Sequence, residues 1–207
     1  MVINRILPLI VGGSALIGTQ ADAYTVTITP GAKAIYLQIG NGTYNGGNSN
    51  AGGTPANNAT INAVSVTLTA ASATSGVAQP MTTNSTASNS FIDGFAICNT
   101  PAQMYVGGWA RAPSGGGVAV LTVTTPPALT NGANTIPFSQ ISWISSGNGG
   151  DPGTDIPSAT FVGGTQTLTS YPVNSWREQC LTFSYANAAI RAAGTYSGRA
   201  VYTLSEP

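Results

Sequence analysis

Histidine, cysteine and the carboxylates carry most side-chain chemistry, and this chain is poor in all of them. Its 207 residues include two cysteines, no histidine, and six Asp+Glu against six Lys+Arg, for a formal net charge of zero. Without histidine the commonest general base and the commonest metal ligand are missing, and two cysteines cannot close a structural zinc site. A Ser-His-Asp triad is excluded, and no Gly-x-Ser-x-Gly turn presents a serine nucleophile. Beyond residue 23 the acidic side chains are Asp93, Asp151, Asp155, Glu178 and Glu206. A paired-carboxylate hydrolase would have to draw on the first four, and none lies in a recognisable motif. Asp151-Pro152-Gly153-Thr154-Asp155 could offer two carboxylates to calcium, but no EF-hand spacing surrounds it and aspartate is an ordinary turn former. The chain is therefore read as a non-enzyme with no metal and no cofactor. Zero net charge also leaves no basic footprint for a phosphate backbone, so nucleic acid is not an expected partner.

The compartment decides how the cysteines are read. Arg5 gives a thin positive start, Ile6 to Ile17 is an apolar run, and Ala21-Asp22-Ala23 places small residues where a signal peptidase reads. The run is short against the roughly 18 residues that span a bilayer, and Pro8, Gly12 and Gly13 interrupt it. Residues 1–23 are expected to be a cleaved signal peptide and 24–207 a single secreted domain without a membrane span. Its expected location runs from the periplasm to the cell surface or the extracellular space. In an oxidising compartment Cys98 and Cys180 are most simply one disulfide. So long a loop, once closed, is worth on the order of 4 kcal/mol in the chain-entropy model. A cysteine nucleophile would need a neighbouring base to lower its pKa, and there is no histidine to supply one.

The elements that must position these residues repeat with a period of two. Tyr24, Val26 and Ile28 alternate with threonines, and Ile35, Leu37 and Ile39 follow Pro30-Gly31. Thr60 to Thr69 puts Val64, Val66 and Leu68 on one face, with a bulge expected near Ala63. Further strands are predicted at Phe91–Ile97, Gln103–Arg111, Val118–Thr124, Phe138–Ile144, Ala159–Leu168, Trp176–Tyr185 and Tyr196–Leu204. Segments rich in Gly, Asn, Pro and Ser separate them: Gly40 to Asn58, Pro113 to Gly117, Pro126 to Gly132, and Gly147 to Gly153. The best helical candidate, Tyr185 to Arg191, is brief. About ten short strands with turn chemistry between them predict an all-β fold, an antiparallel β-sandwich with Greek-key connections. Leu181, Phe183 and Tyr185 are expected in its core with Val64, Val66, Leu68, Ile141 and Trp143. The disulfide should tie a strand near Phe95 to the strand that holds Phe183.

The last strand alternates most cleanly. In Gly194-Thr195-Tyr196-Ser197-Gly198-Arg199-Ala200-Val201-Tyr202-Thr203-Leu204, the side chains of Tyr196, Ala200, Tyr202 and Leu204 share one face. That face is expected in the core, with Arg199 pointing to solvent or to a neighbouring subunit. The segment resembles the closing strand of subunits from Gram-negative chaperone–usher fimbriae, including the spore-coat-U-like and CFA/I-like branches. Ile136 to Trp143 is similar to another strand of that group. The resemblance covers about a quarter of the mature chain. It implies an immunoglobulin-like sandwich with a missing strand, whose groove is filled first by a periplasmic chaperone and then by the N-terminal strand of the next subunit. Backbone hydrogen bonds and alternate side-chain pockets drive such strand addition. The donor would be Tyr24–Thr29, with Tyr24, Val26 and Ile28 as its knobs. Read from the residues alone, the same segment is equally an ordinary first strand of its own sandwich.

Two function classes remain. The first is an exported structural surface protein, a fimbrial or coat subunit that assembles with copies of itself or related subunits through strand donation or lateral packing. Sparse charge leaves such association unopposed by repulsion. The second is a secreted monomeric binding module, carbohydrate-recognising if Trp109, Trp143, Trp176, Tyr36, Tyr105 and Tyr171 line an exposed face instead of packing inside.

Overall fold

The computed structural model describes residues 26–42, 44–45, 54–56, 60–90, 92, 94–113, 116–146 and 155–206. The signal segment, Tyr24, Asp93 and Asp151 lie outside them. The strands, in chain order, are β1 (Val26–Thr27), β2 (Ala34–Ile39), β3 (Tyr44–Asn45), β4 (Thr54–Pro55), β5 (Val64–Ser65), β6 (Gln79–Pro80), β7 (Thr82–Thr83), β8 (Met104–Arg111) and β9 (Val118–Thr125), followed by β10 (Ala128–Asn131), β11 (Asn134–Pro137), β12 (Ile141–Ser146), β13 (Ala159–Thr160), β14 (Gly164–Pro172), β15 (Ser175–Tyr185) and β16 (Val201–Ser205). One helical turn, α1 (Ala70–Ala73), is capped by Thr69, whose Oγ1 accepts from the Ser72 amide at 3.1 Å. Among the described residues no helix is long and apolar enough to cross a membrane.

The fold is all-β and its strand pairings are antiparallel. The large sheet runs β13-β12-β15-β8-β2, with β1 and β6 pairing at opposite ends of β15; a smaller sheet runs β14-β9-β16. The two sheets pack face to face around one core that includes Val106, Leu121, Val123, Leu168, Leu181 and Leu204. Phe161 organises its aromatic part, edge-on to Phe138 at 5.2 Å and stacked with Phe183 at 6.3 Å. The opposite face of the large sheet is also buried. Ile28, Tyr36, Tyr105, Trp109, Trp176, Cys98 and Cys180 form a second cluster there, with Ala87, Ile92 and Ile97 of the 84–99 segment packed on it.

Burial on both faces explains the sequence of β8. Met104, Val106 and Ala110 enter the inter-sheet core while Tyr105 and Trp109 enter the second cluster, so the strand shows no polar alternation. Gly108 lies opposite Leu37 of β2, and a Cβ there would sit 2.4 Å from the Tyr36 carbonyl oxygen. In β15, Trp176, Glu178 and Cys180 alternate with Gln179, Leu181 and Phe183, so one strand serves both cores. The turn between β14 and β15 hinges on Asn174, at φ 60°; its amide donates to Ala110 O at 2.7 Å, and its Oδ1 accepts from the Ala112 amide at 3.0 Å.

Several boundaries differ from the sequence reading. The 60–69 segment alternates in exposure, with Val64, Val66 and Leu68 half-buried against the core, but only Val64–Ser65 forms a ladder, with β7. Among the described residues of 91–97 there is no strand, only an isolated bridge from Ala96 to Asn89. The Ser90 amide donates to Phe95 O at 2.7 Å and the Gly94 amide to Ser90 O at 3.0 Å, so the chain folds back on itself and leaves Phe95 69% exposed. The 159–168 segment splits at Gly163 and Gly164, whose φ values of 72° and 117° carry the chain from one sheet to the other. Phe138–Gln140 is a 3-10 turn before β12. The predicted helix at 185–191 is absent because Asn187 sits at φ 54°, with its amide held by Ser72 O at 2.8 Å and Val77 O at 3.2 Å. The closing ladder begins only at Val201; upstream, Ser197 bridges to Thr130 of the β10–β11 hairpin, which lies in a stretch read as partly loop.

Candidate functional site

Cys98 and Cys180 form a disulfide with a Cα separation of 5.5 Å that closes 82 residues. Cys180 sits on β15, whereas Cys98 lies in irregular chain and not in a strand near Phe95 as expected. The bond pins the described residues of 84–98 as a strap over the second cluster, where Ala87, Ile92 and Ile97 pack. The Ser88 carbonyl holds the returning arm by accepting from the amides of Ile97 and Cys98, at 2.8 and 2.9 Å.

The N-terminal segment is built into its own chain. Val26 and Thr27 pair with Trp176 and Ser175, the Ile28 amide donates to Asn174 O at 2.7 Å, and Ile28 is completely buried. At the other terminus Leu204 is buried in the inter-sheet core, while Tyr196, Ala200 and Tyr202 are half-buried against it and Arg199 is exposed. Burial pushes the Tyr202 phenol above the ordinary tyrosine range.

The six aromatics weighed above as a sugar-binding face are all interior. Tyr36, Tyr105, Trp109, Trp143, Tyr171 and Trp176 are each 7% exposed or less. Tyr36 stacks on Trp176 at 5.7 Å in the second cluster, and Trp143 donates its indole N–H to Pro157 O at 2.9 Å. Their size and alternation did not distinguish core from display.

The described carboxylates accept structural hydrogen bonds. Glu178 Oε2 accepts from the Tyr105 hydroxyl at 2.7 Å and from the Trp176 indole at 2.9 Å. Asp155 pairs with Arg177 at 3.2 Å and accepts from the Glu178 amide at 3.2 Å, on a stretch of β15 between the residues paired by β1 and by β12. Burial raises the Tyr171 phenol well above its usual value, Asp155 adds to the rise, and Arg177 opposes it. Among the described residues no three His, Cys, Asp or Glu side chains gather where they could hold a metal ion.

The sheet edges offer a different kind of surface. Among the described residues no strand pairs with the outer edge of β2, nor with the outer edge of β16. These two edges belong to different sheets, yet Cα atoms of β2 and β16 come within 8 Å of each other at the same side of the sandwich. Ile35, Leu37 and Ile39 of β2 and Tyr202 of β16 are exposed or half-buried around this junction, and the Lys33–Glu206 ion pair at 3.3 Å closes one end. The outward face of the smaller sheet carries Thr122 and Thr124, Thr165 and Thr167, and Thr203, all uncharged. Comparison with family models, with curated proteins and with solved structures finds no match to this chain.

Proposed function

We propose that this chain is an exported structural surface protein, a fimbrial or coat subunit that associates with copies of itself or related subunits by strand addition and lateral packing. The observation that carries the reading is the junction of β2 and β16, where two open strand edges lie side by side. An added strand there would gain backbone hydrogen bonds from either edge and bury apolar side chains against Ile35, Leu37 and Tyr202. The resemblance of the closing strand to chaperone–usher subunits supports the same reading, and a periplasmic chaperone is the partner it implies for the unassembled chain. The donor in that scheme would be Tyr24–Thr29 of a second copy. Since Ile28 packs inside its own chain, donation by this segment requires it to leave β15, an exchange of the kind seen in domain swapping.

The test is size-exclusion chromatography with light scattering on residues 24–207, exported without a co-expressed chaperone, followed by negative-stain microscopy of the void fraction. Recovery as polymer or as degraded material is the expected result. A sharp, thermally stable monomer would overturn the proposal.

A further inference from the structure

On the face of the molecule where the strap meets β2, the chain forms an open cleft of about 560 Å³. Gln38, Asn41, Thr86, Ser88, Asn89 and Ser90 supply its polar lining, and none of the described lining residues is charged. The volume lies within the roughly 300–1,000 Å³ of typical small-molecule sites.

The polar groups are fixed before any ligand arrives. Gln38, only 6% exposed, accepts from the Tyr36 hydroxyl at 2.5 Å and donates through Nε2 to Gly40 O at 2.8 Å. Asn41 Oδ1 accepts from the Thr86 amide at 2.8 Å, the Ser85 hydroxyl at 3.1 Å and the Thr86 hydroxyl at 3.2 Å. The Ser88 hydroxyl donates to Asn89 Oδ1 at 2.8 Å, and Ser90 Oγ accepts from the Ile92 amide at 3.2 Å. Asn89 in turn donates to Gly94 O at 2.8 Å, which ties the cleft wall to the return arm of the strap.

This network sorts the chemistry the cleft can accept. A hydroxyl has one donor and two acceptor lone pairs, and the protons of Thr86 and Ser88 are already taken by Asn41 Oδ1 and Asn89 Oδ1. What their oxygens still offer is acceptor capacity. A ligand matched to such a wall brings many hydrogen-bond donors. It carries no net charge, because the described lining residues include neither a cation for an anion nor a carboxylate for a cation. It is also polar, since no aromatic ring is among the described lining residues. We propose that the cleft between β2 and the disulfide-pinned strap binds a neutral saccharide through hydroxyl donors directed at the Thr86 and Ser88 oxygens.

The test uses saturation-transfer NMR on the exported, oxidised protein with a panel of neutral methyl glycosides: glucoside, mannoside, galactoside and N-acetylglucosaminide. The ligand-side readout works on monomer or polymer alike, so its outcome is separable from that of the assembly proposal. Saturable transfer to at least one glycoside is expected, with weak affinity in keeping with so open a site. Ser88→Tyr, which fills the cleft, should abolish it. Thr86→Val, which keeps the shape and removes an acceptor oxygen, should weaken binding about tenfold, the equivalent of one charge-neutral hydrogen bond. If Ser88→Tyr fails to fold, Thr86→Val alone decides. Absence of transfer from every glycoside would overturn the proposal, as would binding that neither variant changes or a preference for a sialoside or a neutral tripeptide over the glycosides.

Discussion

At the scale of single residues, burial makes predictions that the low charge of the chain keeps simple. Leu204 is 8% exposed on the last ladder and packs in the inter-sheet core, so Leu204→Ala should cost about 2–5 kcal/mol in denaturant unfolding. A loss below about 0.5 kcal/mol, the scale of surface changes, would remove it from the core. Tyr171 makes a prediction about pH. Its phenol is raised above the ordinary value of 10.0, chiefly by burial, so the folded chain holds the proton after the unfolded chain has released it. The stabilisation is therefore complete below about pH 10 and falls as the pH climbs beyond that point. Tyr171→Phe should flatten the alkaline limb of a stability-versus-pH curve while leaving its slope near neutrality unchanged. An equal alkaline slope in both proteins would mean that another group drives the loss.

At the scale of elements, Gly108 in β8 and Gly116 in the connection to β9 give a sharp contrast. A methyl group on Gly108 would press on the Tyr36 carbonyl and force β2 outward, so Gly108→Ala should cost about 1–3 kcal/mol. A Cβ on Gly116 has nothing within 4 Å, and Gly116→Ala should stay within about 0.5 kcal/mol of the parent in the same melts. The disulfide is also an element-scale device, since it holds the strap onto β15. Replacing both cysteines by alanine should cost on the order of 4 kcal/mol, with amides 84–98 losing hydrogen-exchange protection first. Uniform loss of protection would mean that the strap has no separate stability. The strands most legible in the sequence were those with long runs of β-formers, β8, β9 and β15, whose predicted limits lie within a residue of the observed ones. What was illegible depended on partners distant in the chain. Phe91–Ile97 has the composition of a strand but turns back at Gly94, and Asn187 stops a helical pattern because distant carbonyls of Ser72 and Val77 capture its side chain. The cleft was invisible for the same reason. Thr86, Ser88 and Ser90 carry no motif of their own and gain a role only where the fold brings Asn41 against this segment.

At the scale of the whole molecule, the question is what keeps open strand edges from pairing at random. Natural sheets protect edges with lysines, prolines or bulges, and no residue of β2 or β16 is charged or proline. A net charge of zero removes long-range repulsion as a second safeguard. The surface proposed for assembly is thus the one that a single added charge should disable. Ile35 is 42% exposed on the edge strand β2, so Ile35→Lys should leave a folded domain with unchanged far-ultraviolet circular dichroism while shifting the scattering mass toward monomer. Val118→Lys, 48% exposed on the central strand of the smaller sheet and so away from its edges, tests whether lateral packing also contributes. Suppression by Ile35→Lys alone points to strand addition at the β2–β16 junction, whereas suppression by Val118→Lys alone points to face-to-face packing. Because the proposed association would draw on backbone hydrogen bonds and apolar contact, its extent should change little between low and physiological salt. A steep fall on adding salt would show that ion pairs hold the subunits together, which the sparse charge of this chain argues against.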